Sequence, residues 1–159
     1  MIITAALSPA PLDTAAHLDA VASPQAGATA LFLGTVRDND PEAAGTVVRL
    51  EYSAHPDAAA VLQRLATDAE GEALREDPQA SQEDVRIAVS HRTGTLAVGE
   101  AAIIAAVSAR HRAEAFRIAR DLVERVKAEL PVWKRQVEQD GTAEWVGLGS
   151  LTARDGLSA

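Results

Sequence analysis

The sequence predicts an α+β fold, with helices and antiparallel strands intermixed rather than alternating in βαβ units. Three observations carry this reading. Strand-like segments at 1–7, 28–36, 47–52, 85–89 and 101–107 interleave with helical patterns at 13–22, 56–75 and 111–130. The last two strand-like segments, 132–138 and 142–146, flank Asp140-Gly141, a strong hairpin signal. The chain of 159 residues suffices for one domain with at most a small appendage.

Each element has a local reason. Ser23-Pro24 ends the first helix. Residues 28–36, centred on Leu31-Phe32-Leu33, read as a buried strand running straight into Arg37. A polar Pro- and Gly-containing loop, 38–45, leads to the strand at 47–52, which is expected to pair back across it. The helix at 56–75 carries Ala60, Val61, Leu65 and Leu74, and an exposed linker at 76–83 follows. Val85, Ile87 and Val89 alternate with Arg86, Ala88 and Ser90, as in a half-buried strand. Thr93-Gly94-Thr95 and Gly99 mark turns before the apolar run 101–107. Ser108 is the expected N-cap of the longest helix, which Pro131 terminates. Residues 1–147 form a single expected domain, and 148–159 a loose tail.

Composition excludes several function classes. Twenty-three acidic against 15 basic side chains give a net charge of -8, which argues against general binding to nucleic acid or anionic membrane. No apolar run approaches the roughly 20 residues of a membrane span, and the N-terminus lacks a signal-peptide pattern, so a cytoplasmic location is expected. The absence of Cys removes disulfides, thiolate metal sites, cysteine nucleophiles and persulfide chemistry on this chain. His17, His55, His91 and His111 have no metal-ligand spacing, so no metal is expected. There is no phosphate-binding Gly-Lys-Ser/Thr loop and no Gly-x-Ser-x-Gly elbow, and Gly147-Leu148-Gly149 opens no helix.

What remains is a set of cations at element ends. The basic residues comprise 13 Arg and only 2 Lys, Lys127 and Lys134. Arg110-His111-Arg112 opens the long helix, where backbone N–H groups and cations together favour an anion; the bland alternative is solvent exposure or pairing with Glu114. Lys127 continues the helical line of Phe116, Val123 and Leu130, so partial desolvation is expected; a snorkelling Lys at a helix C-terminus is the bland alternative. Lys134 lies just past Pro131 on a strand, and Arg37 ends another, with Asp38 or Glu51 as possible ion-pair partners. Arg112 and Lys127 lie on nearly the same helical face but about 22 Å apart along the axis. One small substrate hardly spans that distance within one subunit, so a homodimer with a composite pocket is expected.

The ordered motifs resemble a known family. They are Gly27-Ala28 through Phe32-x-Gly34-Thr35-Val36-Arg37, then Leu50-Glu51-Tyr52, then His91-Arg92-x-Gly94-x-Leu96-x-Val98-Gly99-Glu100. His111-Arg112-x-Glu114-Ala115-Phe116 and Lys127-x-x-x-Pro131-Val132-Trp133-Lys134 complete the set. Together, from about Gly27 to Val146, they resemble the large, catalytic subunit of molybdopterin synthase. The resemblance implies an α/β hammerhead-type fold with an additional small antiparallel sheet. It also implies a dimer of large subunits within a heterotetramer whose small ubiquitin-like subunits carry sulfur as a C-terminal Gly-Gly thiocarboxylate. The implied reaction is a sulfurtransferase step that converts cyclic pyranopterin monophosphate to molybdopterin by installing two dithiolene sulfurs, with no permanently bound cofactor. Lys127 and Lys134 match the family's catalytic lysines. Arg37, His111 and Arg112 match substrate-binding positions, and Thr35, Val36, Arg135 and Gln136 adjoin the same pocket. Two departures stand out: Ser53-Ala54-His55 replaces the usual Glu-Ala-Tyr, and Gln136 replaces a common acidic residue. The readings weighed against this one are a non-catalytic subunit that binds a phosphorylated pterin or the partner's tail, and an unrelated anion-binding hydrolase.

Overall fold

The computed structural model describes residues 1–39, 45–77 and 79–146, so most of the 38–45 loop, Gly147-Leu148-Gly149 and the 148–159 tail lie outside it. Among the described residues the element order is β1 (Ile2–Ser8), α1 (Thr14–Val21), β2 (Ala28–Thr35), β3 (Val47–Ala54), α2 (Ala58–Glu76), β4 (Arg86–Arg92), β5 (Gly94–Ala97), β6 (Ala101–Ala109), α3 (Arg112–Glu129), β7 (Val132–Glu138) and β8 (Ala143–Val146). The α+β expectation holds. Two four-stranded sheets form, ordered β1-β4-β6-β2 and β5-β3-β7-β8. The first is mixed, since β1 runs parallel to β4 while β4–β6 and β6–β2 are antiparallel. The second is antiparallel throughout.

The main core lies between the first sheet and the pair α2–α3. Leu62, Leu65, Ile87, Val89, Val107, Ile118 and Leu122 are all fully or almost fully buried there. On α3, the buried positions Ala115, Ile118, Ala119, Leu122, Val123 and Val126 follow the 3–4 spacing of one helical face. Arginines clamp the two helices from outside: Arg117 to Glu76 at 2.6 Å, Arg125 to Glu72 at 2.7 Å and Arg64 to Glu129 at 2.9 Å. α1 covers the other face of the first sheet, where Val21, Ala88 and Ala106 form a small cluster. Asp13 caps this helix through Oδ1, which accepts the Ala16 N–H at 3.1 Å. A separate core under the second sheet joins Val36, Val47, Leu50, Leu96 and Ala102. No helix among the described residues is long and apolar enough to cross a membrane.

Five local expectations are corrected or extended. β2 and β3 do not pair across their loop, because β2 pairs with β6 and β3 with β5 and β7. β2 is an edge strand rather than a buried one, and Leu31, Phe32 and Leu33 are 41%, 37% and 44% exposed. β4 is buried on both faces, since α1 covers Ala88 and Ser90 as α2 and α3 cover Ile87 and Val89. Ser108 does not cap α3; it is fully buried in β6 and its Oγ donates to the Val21 carbonyl at 2.7 Å, while His111 takes the cap position. The segment read as a turn at Gly94 also contains a further strand, β5.

Candidate active site

The direction of α3 decides which site residues meet. β6 ends at Ala109, the chain reverses, and α3 packs back along β2 and β6. Gly27 donates its N–H to Ala109 and sits against the Arg110 carbonyl, so the start of β2 lies at the N-terminus of α3. Further along, Ala30, Leu31 and Phe32 line a groove with Phe116, Ala119, Arg120, Val123 and Glu124. β2 and α3 therefore run in the same sense. Thr35, Val36 and Arg37 fall at the C-terminal end of α3, the end that carries Lys127. The chain then turns at Pro131, whose carbonyl accepts the His55 N–H at 3.0 Å, into the strand that bears Lys134, Arg135 and Gln136. Arg37, Lys127 and Lys134 thus share one end of the molecule. His111 and Arg112 sit at the other end of α3, about 22 Å away by helical rise.

The second sheet sorts its residues by face. Lys134 lies opposite Tyr52, and Gln136 opposite Leu50. Because Leu50 belongs to the small core, Lys134 and Gln136 share the inward face. Arg135 lies on the outward face opposite Glu51, whose Oε2 accepts from it at 3.1 Å. Glu51 also pairs with Arg49 at 3.3 Å. Gln136 is only 3% exposed, and its Oε1 accepts no hydrogen bond among the described residues. A carboxylate at this depth would meet a larger desolvation cost than the neutral amide does. Lys127 is exposed in the single chain, and so is Phe116 on the same helical line. The desolvation expected for Lys127 is therefore absent from one subunit.

His91, which ends the inner row of β4, presents its ring edge to Tyr52 with centroids 5.1 Å apart and planes at 82°. Its Nδ1–H donates to the Arg92 carbonyl at 2.7 Å. Burial holds the imidazole below its ordinary pKa, and the bond to Arg92 opposes this only in part. Two residues that the motif quotes without a role also form a unit. Arg92, 5% exposed, reaches Glu100 at 3.7 Å and the Thr95 carbonyl at 3.5 Å. The signal for this pair was an Arg and a Glu bracketing two glycine turns within nine residues. Among the described residues, no group of three or more His, Asp and Glu side chains is placed to hold a metal ion.

A family model described as MoaE protein matches residues 7–129. The chain belongs to the MoaE family. It is 40% identical over 146 residues to molybdopterin synthase catalytic subunit 1 of Mycobacterium tuberculosis, covering 89% of this chain and 88% of that one. It is 34% identical over 140 residues to the catalytic subunit of Bacillus subtilis, covering 86% and 80%. The crystal structure of molybdopterin synthase from Staphylococcus aureus superposes with a TM-score of 0.73 at 26% identity, over 89% of this chain and 95% of that one. The MoaE protein of Burkholderia ambifaria gives 0.67 at 27% identity, over 98% and 99%. The chain is thus a molybdopterin synthase catalytic subunit of the MoaE family, a sulfur-transferring enzyme of molybdenum cofactor biosynthesis.

Proposed function

We propose that the pocket at the C-terminal end of α3 converts cyclic pyranopterin monophosphate to molybdopterin, with sulfur delivered by the thiocarboxylated Gly-Gly tail of a small ubiquitin-like subunit. One observation carries this reading: the chain's only two lysines fall at the end of the fold that also carries Arg37. The cross-helix clamps named above all use arginine. A primary amine is compact and shifts its pKa readily, which suits proton transfer or the stabilisation of negative charge developing at the thiocarboxylate. Arg37 supplies a charge-assisted hydrogen bond to the cyclic phosphate. Thr35, Val36 and Gln136 form the surrounding wall, whereas Arg135, expected to adjoin the pocket, lies on the opposite face of β7 and is held by Glu51.

His111 and Arg112 enter this pocket from a second copy of the chain. The length of α3 keeps them from the lysines of their own subunit, and the exposed apolar row Leu31-Phe32-Leu33 with Phe116 leaves surface for a partner. The small subunit as partner is supported by a Helicobacter pylori structure of the same fold, a complex of subunits 1 and 2 of molybdopterin-converting factor. The whole assembly is then a homodimer of this chain flanked by two small subunits, working in the cytoplasm without a permanently bound cofactor.

The test is reconstitution. The purified chain, a thiocarboxylated small subunit and cyclic pyranopterin monophosphate should yield molybdopterin. Lys127→Ala should lower the rate by at least about a hundredfold, the scale of a lost acid–base group. No product from the unmodified chain refutes the reading, and equal rates refute the role of Lys127.

A further inference from the structure

The Arg92–Glu100 pair sits behind Arg37, and the connection is continuous. Val36 is 3% exposed and is pinned by both backbone groups: its N–H donates to the Glu100 carbonyl at 3.0 Å and its C=O accepts from Gly99 at 2.7 Å. The side chain of Glu100 fixes the same turn from the other side. Its Oε2 accepts the Ala97 N–H at 2.7 Å, and its Oε1 faces the Arg92 guanidinium. Gly99, at φ 90°, permits the turn that brings these groups together. Arg92 is anchored in the sheet as the last residue of β4, buried, with a second contact to the Thr95 carbonyl. The register of β2 on β6 also shifts between Gly34 and Thr35, re-aiming the strand one step before this clasp.

We infer that Arg92 and Glu100 are positioning residues: their ion pair holds the Gly99–Glu100 turn against Val36 and so fixes the direction from which Arg37 approaches the anionic group of the substrate. A bidentate guanidinium–phosphate contact is sensitive to direction, so a loosened Val36 costs binding without removing any group that touches substrate. The inference rests on the reading of Arg37 as a phosphate contact. It assigns the Arg92…Glu100 motif to substrate affinity rather than to the sulfur-transfer step.

The experiment compares the full chain, reconstituted with its thiocarboxylated small subunit, as Glu100→Gln, Arg37→Ala and the double variant. Glu100→Gln keeps an acceptor for Ala97 but removes the charge. We expect its KM for cyclic pyranopterin monophosphate to rise about fivefold with kcat within about twofold, while Arg37→Ala raises KM by tenfold or more. The double variant should be no worse than Arg37→Ala, because the turn then has nothing left to aim. Arg92→Lys, which keeps a cation but not the fork, should shift KM in the same direction and guards against loss of fold in Glu100→Gln. An unchanged KM in a folded Glu100→Gln or Arg92→Lys variant overturns the inference, as does full additivity with Arg37→Ala. An unchanged KM in Arg37→Ala instead overturns the reading of Arg37 on which the inference depends.

Discussion

At the scale of single residues, His91 ties the fold to pH. Its imidazole is pushed below the ordinary 6.5 by burial, so the unfolded chain takes up a proton at a pH where the folded chain does not. The associated stability is complete above about pH 6.5. It falls as the pH drops from there towards the lower folded value, then levels off. Urea midpoints measured at pH 7.5 and 5.5 should show this loss, and His91→Gln should flatten it. The carboxylates of Asp84 and Asp140, both held low by hydrogen bonds, titrate in a more acidic range and do not confuse the comparison. This role was not legible in the sequence. His91 stands in a quotable motif, but one group packed on its ring is Tyr52, which is 39 positions away and on the other sheet. The lysines were legible for the opposite reason. Their scarcity and their places beside Pro131 are properties of the chain itself, whereas the exposure of Lys127 depends on what covers α3.

At the scale of elements, the junction of β2 and β6 is the sensitive point. A Cβ placed on Gly34 would lie 2.6 Å from Ile103 Cγ2, a branched side chain inside the sheet rather than a flexible tip. Gly34→Ala should therefore cost about 1–3 kcal/mol of unfolding free energy in denaturant titration. The penalty should shrink when Gly34→Ala is introduced into an Ile103→Ala background. Strand and helix identities followed from local pattern, because α3 has an unbroken apolar face and Asp140-Gly141 makes the last hairpin. Strand partners did not. A run such as Leu31-Phe32-Leu33 reads as buried because apolarity reports what a surface needs covered, not whether the cover belongs to the same chain. The pairing of β3 with β7 joins segments about 85 positions apart, and no short-range signal specifies it. Ser108 went astray for a similar reason: a hydroxyl just before a helix looks like a cap until the carbonyl of Val21 claims it.

At the scale of the whole molecule, the two sheets divide the labour. The first, backed by α2 and α3, carries most of the buried apolar surface, while the second places Lys134 and Gln136 over a core of a few residues. α3 crosses between these tasks, since it buries one face in the large core and presents cations at both ends. Its 18 residues act as a rigid spacer of about 27 Å. In a symmetric pair of chains, that spacer makes each helix serve two pockets, one with its amine and the other with its guanidinium. Defects at the two ends should then complement. Chains carrying Lys127→Ala and chains carrying Arg112→Ala, each nearly inactive alone, should regain about a quarter of the unmodified rate when unfolded together and refolded as mixed pairs. Half of the pairs would be mixed, and one pocket in each would inherit both intact groups. If every pocket were built from one chain, the mixture would stay as inactive as its parts.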